Sequence, residues 1–199
     1  MYKHVIKRLL DIAIGLTALP FVVLSFLIIG PIIYYNDKGP IFYYGERLGR
    51  NGNMFKMFKF RSMYVNAPDI RLKDGSTFNS DDDPRVTSVG RFLRKTSLDE
   101  IPQFLNILIG DMSFVGPRPD TPDFLEVYQK ECPIILTIRP GITGFNQAYF
   151  RNSISGKEKR KNDAYYTENM SFGLDLKIVF KTISTVLLRK NVNRAGSSS

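Results

Sequence analysis

The chain has 199 residues, 28 Lys and Arg against 19 Asp and Glu, a net charge of +9 and a pI near 9.6. That length suits one domain, or one domain with an appendage, and a 43% hydrophobic content sets it apart from a disordered tail. The single cysteine, Cys132, excludes an internally stapled secreted fold. The single histidine, His4, excludes histidine-rich zinc sites, and any Ser-His-Asp triad would rest on that terminal residue. Acid–base chemistry therefore falls to carboxylates, lysines or tyrosines. The basic surplus points to nucleic acid, an anionic membrane or phosphorylated substrates.

From Ile12 through Tyr35 no side chain is charged, and as a helix these 24 residues extend ~36 Å. That crosses a hydrocarbon core of ~30 Å. A secretory signal has an apolar core of only about 7–15 residues followed by a small-residue cleavage site. This run is longer and leads into Pro31 and Tyr34-Tyr35, so it reads as retained. Lys3, Lys7 and Arg8 precede it and a large basic remainder follows Lys38. The positive-inside rule places both flanks in the cytoplasm, which a helix that enters and returns satisfies and a simple span does not. Pro20 and the Gly30-Pro31 pair offer breaks for such a turn. A kinked transmembrane helix and a buried core helix are the other readings.

Asn36-Asp37-Lys38-Gly39-Pro40 is a turn cluster that ends the helix. Ile41 to Tyr44 reads as a short strand, Gly45 to Gly52 as a glycine-rich loop carrying Arg47 and Arg50, and Met54 to Phe60 as a second strand. Residues 66–84 are polar and turn-rich. Val89 to Thr96 reads as a short basic helix, Ser97 to Leu108 as a helix start followed by an apolar run, and Asp123 to Cys132 as helical. Pro117-Arg118-Pro119 and Arg139-Pro140-Gly141-Ile142-Thr143-Gly144 are rigid loops. Leu174 to Arg189 has apolar residues at helical spacing with Lys177, Lys181 and Arg189 around them. That pattern suits a membrane surface or an ordinary core-facing helix. Residues 1–36 thus read as a membrane-inserted helix, 37–190 as a compact domain, and 191–199 as a disordered tail.

The residues best suited to chemistry are Asp99 and Glu100, adjacent carboxylates where a helix begins. Ser97-x-x-Glu100 also matches a capping box, a purely structural use of the same residues. Arg91, Arg94 and Lys95 just before the pair suit a site for phosphate groups. Arg118 and Arg139 sit on stiff proline loops, where Gly141 and Gly144 let main-chain N–H groups approach a ligand. Asp81 and Asp83 form a D-x-D that can hold a divalent metal on a nucleotide diphosphate, or simply a turn. P-loop and dinucleotide fingerprints are absent. Phe55 to Phe60 is the one basic–aromatic stretch, and it reads equally as a half-buried strand, so nucleic acid is not expected.

In order along the chain stand Lys7-Arg8-x-x-Asp11, Lys56-Met57-Phe58-Lys59-Phe60-Arg61-Ser62-Met63 and Arg94-Lys95-Thr96-Ser97-Leu98-Asp99-Glu100-Ile101-Pro102-Gln103. Gly110-Asp111-Met112-Ser113-Phe114-Val115-Gly116-Pro117-Arg118-Pro119, Arg139 to Gly144, and Ser171-Phe172-x-x-Asp175-Leu176-Lys177 follow. This ordered set resembles the bacterial sugar transferases, the small monotopic phosphoglycosyl transferases. The resemblance implies transfer of sugar-1-phosphate from a UDP-sugar to polyprenyl (undecaprenyl) phosphate, releasing UMP, as the first membrane step of exopolysaccharide, capsule or other glycoconjugate assembly. It implies Asp99 as nucleophile, forming an aspartyl-phosphosugar intermediate that the lipid phosphate resolves. Glu100 would assist as base or metal ligand, and Mg2+ would bind at Asp99 and Glu100. Arg94, Arg118 and Arg151 match positions that hold phosphate, Lys59 lies in a matching segment, and Arg139 joins them from its own loop.

The implied fold is a mainly helical α+β domain on the cytoplasmic face of the bacterial inner membrane, with short strands, interfacial amphipathic helices and a re-entrant N-terminal helix. The sequence departs from the family in that Leu19, rather than serine, precedes Pro20, about one turn early. Two rival functions stand beside this one. A metal-dependent glycosyltransferase would use Asp81 and Asp83 and release UDP. A non-catalytic membrane adaptor would bind anionic lipid through its basic face. The motifs specify neither the sugar nor an oligomeric state.

Overall fold

The computed structural model describes residues 1–70, 78, 80, 82–150 and 154–187. Its architecture is mainly helical with short strands, as expected. A π-helical turn over Tyr2–Ile6 leads into α1, a 31-residue helix over Lys7–Asp37. Both prolines lie inside α1, so neither Pro20 nor Gly30-Pro31 breaks it. Each proline removes one backbone donor, a loss that the long apolar helix absorbs without ending. Its most apolar 18 residues have a mean hydropathy of 2.6, and only 17% of them are buried. A core helix of a soluble protein is mostly buried. By length and composition this one can cross a membrane.

One stripe of α1 faces the rest of the chain: Lys7, Asp11, Gly15, Val22, Ile29 and Ile33. The spacing of four and seven is that of one helix face. At the near end, Lys7 Nζ donates to Asp175 at 2.6 Å, and Arg8 donates to the carbonyls of Ile107 and Leu108 at 2.6 and 3.0 Å. In between, a Cβ on Gly15 would come within 2.6 Å of the Leu108 side chain, so glycine lets α1 approach that side chain closely. At the far end, Asp37 receives both terminal nitrogens of Arg61, and Ile29 and Ile33 pack against Phe60 and Leu93. The same body therefore holds both ends of the helix.

Strands β1 (Phe42–Leu48) and β2 (Met54–Phe60) form an antiparallel hairpin in the register Phe42↔Phe60 to Leu48↔Met54. β1 continues through the segment read as a loop, because pairing with β2 satisfies the backbone of Gly45 to Leu48; only Arg50–Gly52 turns. Helix α2 spans Ser88–Thr96, capped by Thr87, whose side chain accepts the Gly90 amide. A 3-10 turn over Leu98–Glu100 leads to α3, Gln103–Ile109. β3 (Ser113–Val115) pairs in parallel with β4 (Gly141–Thr143), so part of the second rigid loop is a strand. Between them lies α4, Leu125–Glu131; α5 (Phe145–Tyr149), α6 (Gly156–Glu168) and α7 (Phe172–Leu187) complete the domain.

The interior is divided into small clusters rather than one large core. Val115, Ala148, Tyr166, Met170 and Ile178 form one; Met57, Ile107 and Met112 form another beneath α3. α7 buries Ile178 and leaves Phe172, Leu176, Phe180 and Ile183 exposed along a second face.

Candidate active site

Three elements bring the charged residues together. β2 carries Lys59, the 3-10 turn carries Asp99 and Glu100, and the loop after β3 carries Arg118. Ser97 turns the chain between α2 and the 3-10 turn with a left-handed φ of 58°. Its side chain makes no cap bond, so the capping-box reading of Ser97 and Glu100 is corrected. Glu100 instead accepts Lys59 Nζ and an Arg118 terminal nitrogen, both on Oε1 and both at 2.8 Å. Two cations on one oxygen outcompete a single backbone N–H.

Asp99 is treated differently. Its ion pair is looser, with Lys59 Nζ 3.9 Å from Oδ2, although its side chain is only 10% exposed. Burial pushes its carboxyl above the ordinary aspartate range, and Lys59 pulls it only part of the way back. Burial acts in the same sense on Glu100, but Arg118 and Lys59 outweigh it and hold that carboxyl far below the ordinary range. Glu100 in turn raises the proton affinity of Arg118. The pair is thus split into one firmly ionised carboxylate that binds cations and one that titrates more readily. Arg94, one turn before Ser97, donates Nε to Ser62 Oγ at 2.9 Å and lies close enough to favour ionised Asp99.

Residues that sequence patterns do not single out fix this arrangement. Asn106, fully buried on α3, accepts the Phe58 amide at 2.9 Å and donates to Lys56 O at 2.8 Å. It joins β2 to the helix that follows Asp99 and Glu100, and so sets Lys59 against them. Asp120, two residues after Arg118, accepts Tyr128 Oη and Lys159 Nζ. On the other side of Arg118, the Gly116 amide donates to Thr143 O and the Gly141 amide to Pro117 O, each at 2.8 Å. Gly141 and Gly144 are needed there because a Cβ on either would fall 2.1 Å from Gly116 backbone atoms. Their small size serves this backbone crossing.

The other expected residues lie elsewhere. Arg139 donates Nε to Gly110 O at 2.7 Å, past the last turn of α3, whereas Asp99 and Glu100 precede its first. Asp83 is fully buried and holds Arg85 through both carboxylate oxygens, so it is spent on a structural pair. Asp81 and Arg151 lie outside the described residues. Among the described residues, no three His, Cys, Asp or Glu side chains are grouped to hold a metal.

The model of the bacterial sugar transferase family matches residues 2–189. The chain belongs to that family. It is 42% identical over 195 residues to the exopolysaccharide production protein ExoY of Sinorhizobium fredii, covering 92% of this chain and 86% of that one. It is 43% identical over 197 residues to the galactosyl transferase CpsE of Streptococcus agalactiae, covering 94% of this chain and 43% of that protein. It is also 38% identical over 201 residues to the undecaprenyl-phosphate galactose phosphotransferase of Salmonella typhimurium, covering 92% and 41%. This family member therefore spans most of ExoY and about two-fifths of the larger relatives.

The geometry makes a prediction for Lys59. If Asp99 is the nucleophile, as the family resemblance implies, it acts ionised, and activity falls as pH drops through its pKa. Lys59 lowers that pKa; Lys59→Met removes the pull, and the acid limb of the kcat profile moves to higher pH. A Lys59→Met enzyme with lower kcat but an acid limb in the wild-type position would contradict electrostatic coupling to Asp99.

Proposed function

We propose that the protein transfers sugar-1-phosphate from a UDP-sugar to undecaprenyl phosphate at the cytoplasmic face of the membrane, releasing UMP. The observation that carries this reading is the split carboxylate pair: Asp99 buried and loosely held beside Lys59, Glu100 bound by two cations. The name of the Salmonella relative, an undecaprenyl-phosphate galactose phosphotransferase, supports the acceptor and the reaction type.

Asp99 attacks the sugar-bearing phosphorus of the donor. The bond from that phosphorus to the bridging oxygen breaks, and UMP leaves with the electron pair. An oxygen of the lipid phosphate then attacks the same phosphorus and returns Asp99 as a free carboxylate. Lys59, Arg94 and Arg118 supply positive charge where the diphosphate sits, Arg118 being the most exposed of the site's ion-paired side chains at 43%. Glu100, held ionised, is a poor base at neutral pH. Its part is electrostatic: it fixes Lys59 and Arg118.

Magnesium suits the pair, since Asp99 and Glu100 offer hard oxygen ligands and this ion commonly takes one or two carboxylates plus substrate phosphates. Lys59 and Arg118 both sit on Glu100 Oε1, so the remaining carboxylate oxygens would hold it. When bound, it neutralises diphosphate charge. The D-x-D alternative loses support because Asp83 is committed to Arg85.

For the membrane, one body holds both ends of α1, which supports a helix that enters and leaves on the same side. Such a path needs a bend within the continuous helix, and Pro20, which lacks the backbone N–H of a normal turn, is placed for it. The exposed apolar face of α7, from Phe172 to Ile183, supports an interfacial seat for the domain. The test is nucleotide release by detergent-purified protein given undecaprenyl phosphate, magnesium and a panel of UDP-sugars. UMP with one sugar is the expected result. UDP, or no nucleotide from any donor, would overturn the proposal.

A further inference from the structure

A second basic site lies at the opposite end of α3. A cavity of about 340 Å3 is lined by Lys3, Lys7, Arg8, Arg50 and Arg139, with Asp11 as the carboxylate among its lining residues. Lys7 is neutralised by Asp175, while Asp11 accepts the Ser113 hydroxyl and the Phe114 amide, each at 2.9 Å. Carbonyl oxygens hold the remaining cations and leave their charge intact. Arg8 binds the carbonyls of Ile107 and Leu108, and Lys3 those of Thr167 and Glu168. Arg50 and Arg139 each commit Nε, to Thr137 O at 3.1 Å and Gly110 O at 2.7 Å. Their terminal N–H groups are the donors that remain for a ligand. Burial, then repulsion from Arg8 and Arg50, lowers the proton affinity of Arg139, and Asp11 only partly offsets it, which puts Arg8 and Arg50 each within electrostatic reach of Arg139.

None of these lining residues belongs to the Asp99 site. The seven residues of α3, about 10 Å of helix rise, separate the two. Lys3, Lys7 and Arg8 also lie just before the uncharged run that starts at Ile12. With α1 in a bilayer, the cavity sits at the depth of the headgroup phosphates.

We propose that this cavity is a second phosphate-binding site, taking the headgroup phosphate of an anionic membrane lipid through Arg50 and Arg139. Its depth rests on the membrane reading of α1; its charge does not.

The test uses the full chain in non-ionic detergent, titrated by calorimetry with dihexanoyl-phosphatidylglycerol and, separately, with inorganic phosphate. Saturable lipid binding is expected, weakened about tenfold or more in Arg50→Gln and in Arg139→Gln and retained in Arg118→Gln. Arg50 is exposed and holds one loop carbonyl, so its variant remains informative even where Arg139→Gln misfolds. Inorganic phosphate binding as tightly as the lipid would reassign the site to a soluble anion and overturn the lipid source. Lipid binding that is absent, or that Arg50→Gln leaves unchanged, would overturn the site itself. UMP release and co-flotation with phosphatidylcholine vesicles are read on the same samples. If both persist without a lipid titration, the cavity proposal alone fails; loss of flotation would overturn the membrane placement of α1, and loss of UMP release the catalytic reading.

Discussion

Asp99→Asn is expected to lower kcat by about a thousandfold or more, with the protein folded and membrane-bound. The amide keeps the size and much of the hydrogen bonding of the carboxylate but cannot form the acyl phosphate. Stability should hold or rise. The sign follows from the raised pKa: such a group contributes stability fully below its unfolded pKa and loses it as pH rises through the folded value. Above that raised pKa the ionised, buried Asp99 is therefore a cost to the fold, and the neutral amide removes it. A higher melting temperature with activity abolished is the trade expected of a residue kept for chemistry. Residual activity above about a tenth of wild type would remove Asp99 as nucleophile.

Gly90→Ala should be the most damaging of the single-methyl changes. Gly90 lies in the first turn of α2, where the helix crosses the backbone of Ser62. A Cβ there would stand 1.9 Å from Ser62 O and 2.6 Å from Ser62 C, and backbone cannot swing aside as a side chain tip can. The neighbouring bonds make the junction stiff: the Thr87 amide donates to Ser62 O at 3.1 Å, and Arg94 Nε to Ser62 Oγ at 2.9 Å. Overpacking of this kind costs about 3 kcal/mol, which for a chain of this size lowers the melting temperature by about 6–12 °C. Because Arg94 is one turn along the same helix, kcat should fall as well. Scanning calorimetry and steady-state kinetics on the same sample check both, and a melting temperature within 2 °C (about the effect of 0.5–1 kcal/mol) would contradict the packing described.

Several elements were legible because their residues carry local patterns. The uncharged run announces α1, and the basic stretch Val89 to Thr96 announces α2. The Asp99–Glu100 pair stands out as adjacent carboxylates behind a cluster of cations. Long-range partners were not legible. Asn106 reads as one polar residue in an apolar helix, yet its amide ties β2 to α3. Nothing local reveals that Arg139 reaches Gly110, or that Asp83 is consumed by Arg85. α6 went unread because it buries polar residues, Asp163, Tyr166 and Thr167, which leave no apolar period. Its one signal was Ser155-x-x-Glu158, which does form the reciprocal cap that Ser97 and Glu100 do not.

The prolines of α1 teach a related point. Local rules place breaks at Pro20 and Gly30-Pro31, and the helix runs through both. Its two ends are anchored on the domain, from Lys7 with Asp175 to Ile33 against Phe60 and Leu93, and the apolar run between them stays helical through both prolines. These contacts place its far end on the same domain that holds its beginning. Asp37 meets Arg61 just past the last residue of β2, the strand that carries Lys59.

The most direct test of the central claim is intact-protein and peptide mass spectrometry after incubation with magnesium and each UDP-sugar, with no lipid acceptor present. A covalent role for Asp99 predicts release of about one equivalent of UMP per protein and the mass addition of one sugar-phosphate on the peptide containing Asp99. Adding undecaprenyl phosphate should then discharge the label. Turnover with acceptor present, but with neither the burst nor the adduct in its absence, would contradict a covalent step and place the acceptor's attack directly on the donor.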